Sequence, residues 1–121
     1  MEKILIFHLN ESELKKLKQI AGTLKIHYEI VDESHFMQPI ENLLSGHPSP
    51  LIAPFTGELP EESLVLLCDF TEKRMDKLLL ALRRDKIMID YKAVLTPTNR
   101  KWNAMRLFLE MRAEKAAYQN R

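Results

Sequence analysis

Ser63–Trp102 reads SLVLLCDFTEKRMDKLLLALRRDKIMIDYKAVLTPTNRKW, and its apolar spacing changes period three times. Ser63 to Cys68 is a short continuous apolar run, the pattern of a strand buried on both faces. Thr71, or Asp69 before it, is placed to cap a helix whose stripe is Met75, Leu78, Leu79 and Leu82. Arg83, Arg84 and Lys86 close that helix, where cations meet the negative end of its dipole. Tyr91 to Leu95 is the next strand, and Lys92 within it argues for a sheet edge. Thr96-Pro97 then opens a last helix, with Thr98 as a second candidate cap and Trp102, Met105 and Phe108 on its apolar side.

The first half repeats the alternation. Lys3 to His8 (KILIFH) predicts a central strand. Asn10 caps a helix carrying Leu14, Leu17, Ile20, Ala21 and Leu24, with Glu13 completing a capping box and Gly22 near the end as its C-cap. Lys25 to Val31 alternates as a half-buried strand, so strand, helix and strand make a βαβ unit with parallel pairing. Pro39 starts a short helix with Ile40, Leu43 and Leu44, ending at Gly46. Residues 46–60 hold four prolines and two glycines and form no regular element. Leu51, Ile52 and Phe55 within them pack back onto the sheet edge or meet a partner, and a homodimer through these three side chains is the partner expected.

These patterns predict one α/β domain over residues 1–121, three-layered and flavodoxin-like in the broad sense. It holds about four mostly parallel strands in the order 2-1-3-4, alternating with helices. The chain of 121 residues suits one core, and no apolar run approaches the roughly 18 to 20 residues that span a bilayer, so no membrane association is expected. One cysteine excludes an internal disulfide framework and suits a cytoplasmic protein. The net charge of +1 conceals an uneven distribution: residues 1–68 carry a net −5 and residues 69–121 a net +6.

In parallel α/β sheets ligands bind beyond the carboxyl ends of the strands, at the switch in strand order. The order 2-1-3-4 would make neighbours of His8, Asn10, Cys68 and Asp69 there, with Thr96 to Lys101 (TPTNRK) along one side. That stretch has the makings of an anion site: helix-start amides with Thr96, Thr98, Asn99, Arg100 and Lys101 around them. Neither a GxGxxG nor a P-loop pattern occurs, so no nucleotide cofactor is expected. The histidines and lone cysteine lack metal-ligand spacing, which predicts no metal. The basic residues of the second half have no interleaved aromatics, and nucleic-acid binding stays a minor alternative.

Asp69-Phe70-Thr71-Glu72-Lys73, the helix Leu78 to Arg84, and Lys92-Ala93-Val94-Leu95-Thr96-Pro97-Thr98-Asn99 with Trp102 resemble a small bacterial family of unknown function, over residues 64–118. The resemblance implies a stand-alone bacterial cytoplasmic domain with no assigned activity, and it carries over no catalytic residue. It marks Asp69, Thr71, Thr96, Pro97, Thr98, Asn99 and Trp102 as signature positions. Two functional classes follow from the residues. A non-catalytic regulatory or interaction module would bind a small anion at the strand ends. An enzyme would use His8, Cys68, Asp69 and Thr96 on a phosphorylated or acyl substrate. Burial of Cys68 favours the first; an open, activated Cys68 or Asp69 favours the second.

Overall fold

Lys3–His8 (β1), His27–Ile30 (β2), Leu64–Cys68 (β3) and Tyr91–Val94 (β4) pair into a four-stranded sheet in the order β2-β1-β3-β4, in a computed structural model that describes residues 1–119. Helices alternate with them: Glu11–Leu24 (α1), Ile40–Ser45 (α2), Glu72–Arg84 (α3) and Ala104–Gln119 (α4), with 3₁₀ turns at Glu33–His35 and Asn99–Lys101. The chain divides into two compact units, Met1–Ile30 with Glu62–Leu95, and Val31–Glu61 with the chain from Thr96 onward.

The first unit holds the whole sheet. β1 pairs with β2 and β3 with β4 in parallel, each across its own helix, α1 or α3. β1 and β3 run antiparallel, with Lys3 opposite Cys68 and His8 opposite Leu64. Strand order and predominant direction are as expected from the apolar runs; the central pairing is not. A parallel β3 would need an element that carries the chain back along the sheet after β2. Between those strands stand only the 3₁₀ turn at Glu33–His35 and the six-residue α2, about 9 Å long at 1.5 Å per residue. Ile30, where β2 ends, pairs with Ile6, and Leu64, where β3 begins, pairs with His8, so the chain leaves and re-enters the sheet at one end.

On one face Ile4, Ile6, Val65 and Leu67 form a core with Leu17, Ile20 and Ala21 of α1 and Leu78, Ala81 and Leu82 of α3. The alternate residues Leu5, Leu64 and Leu66 are fully buried as well. Asn10 caps α1, its carboxamide oxygen accepting from the Glu13 amide at 2.9 Å. Glu13 does not complete a capping box. Its Oε2 instead accepts from the Met88 amide at 2.7 Å, tying the start of α1 to the chain before β4. α1 also runs past Gly22, and Lys25 takes the left-handed C-cap position with φ 58°. The Thr71 hydroxyl caps α3, accepting from the Arg74 amide at 3.2 Å.

In the second unit α2 ends at Gly46, left-handed at φ 75°, with its amide directed to the carbonyls of Asn42 and Leu43. The buried Gln38 side chain clasps the loop that follows: Nε2 donates to the Ser49 carbonyl and Oε1 accepts from the Ser49 amide, both at 2.8 Å. Beyond that clasp Leu51 is 93% exposed. Gly57 sits under the Phe55 ring, where a Cβ would come within 2.8 Å of Cζ. Phe36 and Phe108 meet with ring centroids 6.2 Å apart, and the Ile40 and Ala104 amides donate to the carbonyls of Trp102 and Phe36.

Candidate functional site

The direction of β3 decides which polar residues meet. At the end where β1 stops, His8 Nδ1 lies 3.1 Å from the Glu62 carbonyl oxygen, and the Tyr91 hydroxyl donates to Glu62 Oε2 at 3.0 Å. Ser63 and Asp90 close the same end: the Ser63 amide donates to Asp90 Oδ2 at 2.8 Å and the Asp90 amide donates to Ser63 Oγ at 2.7 Å. Asn10 belongs to this end too, with its oxygen spent on Glu13 and on the Ser12 hydroxyl.

Cys68 and Asp69 stand at the other end, beside Lys3. Four residue steps separate Leu64 from Cys68, about 13 Å of strand at 3.3 Å per residue. The expected neighbourhood of His8 and Asn10 with Cys68 and Asp69 is therefore corrected: antiparallel pairing puts the two pairs at opposite ends of the sheet. Cys68 is completely buried and its Sγ lies 3.7 Å from the Leu66 carbonyl oxygen, the place of a small core residue. Asp69 is exposed and left-handed, φ 60°, at the step from β3 into the Thr71 cap.

Thr96 to Lys101 forms a self-contained turn. The Thr96 amide donates to Asn99 Oδ1 at 2.8 Å, and the Asn99 amide donates back to Thr96 Oγ1 at 3.0 Å. Arg100 and Trp102 amides go to the carbonyls of Thr96 and Asn99. The long helix does not start here. It starts at Ala104, capped by Asn103, whose Oδ1 accepts from the Arg106 amide at 2.9 Å. Thr96 and Thr98 thus do not cap α4, because Thr96 and Asn99 satisfy each other first. The buried stripe of α4 is accordingly Ala104, Leu107 and Phe108, while Trp102 precedes the helix, half-buried.

Four of the amides at this turn are engaged within it, so anion contacts would fall largely to side chains. Pro97 has no N–H, and the amides of Thr96, Asn99, Arg100 and Trp102 are already used. Thr98, Arg100 and Lys101 are exposed, and neither cation forms an ion pair among the described residues. A third cation, Arg106, has its guanidinium 4.4 Å from the Trp102 ring centroid and 3.7 Å from Glu110. That stacking holds the Arg106 side chain in place while leaving it accessible.

Several polar anchors have no sequence signal. Arg74 grips Glu2 through Nε and Nη2, and its Nη2 also donates to the Leu24 carbonyl at 2.6 Å. The hydrogen-bonded guanidinium holds the Glu2 carboxyl below the usual carboxylate range and raises its own pKa in turn. Such pairs lie 72 and 50 residues apart and follow from topology, not spacing. Among the described residues no three His, Cys, Asp or Glu side chains converge as a metal site requires, and no helix is long and apolar enough to cross a membrane.

Residues 63–118 match the model of a family described as a domain of unknown function (DUF3783). No curated protein matches the chain, and no solved structure does. The matched stretch takes in β3, α3, β4, the Thr96–Lys101 turn and α4 as far as Tyr118, while β1, α1 and β2 lie outside it.

Proposed function

We propose that this protein is a non-catalytic regulatory or interaction module that takes a small anionic ligand at the Thr96–Lys101 turn, and that a second copy joins it through Leu51, Ile52 and Phe55. The antiparallel pairing of β1 with β3 carries the first part. It keeps His8 a strand's length from Cys68, whose thiol is buried, so the residues an acyl- or phosphoryl-transfer site would need do not share a pocket. Asp69 stands alone of that group, and a lone carboxylate holds a hard cation poorly.

For the ligand, the supporting observation is the pair of exposed cations on a turn whose geometry is locked by its own hydrogen bonds. Arg100 and Lys101 project from a backbone that the Thr96–Asn99 exchange holds fixed, so less backbone freedom remains to be lost on binding. Amide NMR titration with sulfate and then phosphate tests this. Saturable shifts at residues 96–101 are expected, and Arg100→Ala with Lys101→Ala should weaken them at least tenfold with the spectrum otherwise folded. Equal affinity in the double variant would refute the assignment.

A further inference from the structure

On the outer face of the first unit α1 and α3 leave an open groove of about 380 Å³, within the range of ligand clefts. Ile20 and Ala81 form its buried floor, Leu24 is half-buried, and Leu80 stands in it 62% exposed. Lys77 and Arg84 flank Leu80 on α3, three residues before it and four after, so all three share a helix face. The polar groups on the α1 side, Gln19 and Thr23, are both neutral. The one carboxylate in the lining, Asp85, is already engaged by Arg84 at 3.3 Å, an exposed contact worth little. Lys73, one turn before Lys77, extends the cationic rim and, like Lys77, has no ion-pair partner among the described residues.

We infer that this groove is a docking site for an acidic amphipathic helix of a partner protein. An apolar side chain of the incoming helix would cover Leu80 and Leu24, and its carboxylates would meet Lys77 and Arg84. The charge pattern selects that occupant: an apolar centre bracketed by cations matches a helix with apolar residues at i and i+4 and acids beside them. Lys77 to Arg84 spans seven residue steps, about 10 Å of helix at 1.5 Å each, which limits the contact to roughly two turns and places it among weak, transient interfaces. A nucleic-acid backbone would favour the cations but leave Leu80 uncovered. This inference rests on the interaction-module reading and uses a different surface from the Thr96–Lys101 turn.

The test is an amide NMR titration of the full chain with two synthetic helical peptides that share leucines at i and i+4, one with glutamates on its remaining face and one with lysines. The acidic peptide should give saturable shifts at residues 19–24 and 77–85, and Leu80→Glu should weaken it at least tenfold. Lys77→Glu with Arg84→Glu should abolish it and confer binding of the basic peptide, a gain that misfolding cannot produce. No saturable binding of the acidic peptide, binding indifferent to Leu80→Glu, or self-association abolished by Leu80→Glu would each overturn the inference. So would shifts there with a DNA duplex but not the peptide. The Arg100→Ala, Lys101→Ala protein serves as a second host. Peptide binding retained while sulfate shifts are absent in every host would refute the turn assignment alone; loss of both would refute the module reading.

Discussion

Lys25 holds a backbone angle that a side chain with a Cβ adopts at a cost of about 1 kcal/mol, while a glycine sits three positions earlier inside the helix. The sequence invites the opposite assignment, since glycine favours C-caps. α1 continues past Gly22 because Leu24 and Ile26 have apolar surroundings to reach. Lys25→Gly should therefore stabilise the protein by about 0.5 to 1 kcal/mol, and Gly22→Ala by a similar amount, since nothing lies within 4 Å of the added methyl. Urea midpoints read both. A lower midpoint in Lys25→Gly would show that the helix does not end in a left-handed residue. Gly46, by contrast, is a left-handed cap that its sequence position announces.

Elements were legible where the signal is local and hidden where it is not. Thr71 caps α3 and Lys92 marks an edge strand, because cap chemistry and burial pattern are written within a few residues. The direction of β3 depends on what the chain does between Ile30 and Leu64, where a 3₁₀ turn, the short α2 and a proline-rich loop follow one another. The Thr96–Asn99 exchange likewise accompanies a helix start displaced to Ala104: the threonine at the expected start is satisfied by an asparagine within its own turn. The Glu2–Arg74 pair ties the start of the chain to α3 and, through Leu24, to the end of α1. Its stability contribution has a defined pH dependence. Glu2's carboxyl is depressed in the folded protein, so the contribution is complete above the unfolded carboxylate pKa, about 4.3, and is lost as pH falls through the lower folded value. Glu2→Gln should thus unfold at lower temperature than the parent at pH 7, with the two curves converging in acid. A gap that stays constant down to pH 2 would disprove this account.

For the whole molecule, strand order and sheet composition could be read from four apolar runs, but the grouping of His8 and Asn10 with Cys68 and Asp69 could not, since it depended on one pairing direction. The proposed homodimer rests on a different feature. Leu51 is almost fully exposed in the loop that Gln38 clasps at Ser49, an apolar knob. Leu51→Asp should convert a concentration-dependent dimer to a monomer in sedimentation equilibrium without altering the melting temperature of the monomer. A parent that sediments as a monomer at every concentration would rule out the dimer.

The antiparallel seam also sets a clock. β1 with β2, and β3 with β4, can each form from contiguous chain, but the seam joins Lys3 to Cys68, sixty-five positions apart. On a ribosome the first β-α-β half must wait, with one flank of β1 bare, until β3 has been made. Closing so distant a pair costs more loop entropy than either half, which makes the seam the natural slow step. During that wait β1 is a template for any passing strand, and the hazard ends only when β3 arrives.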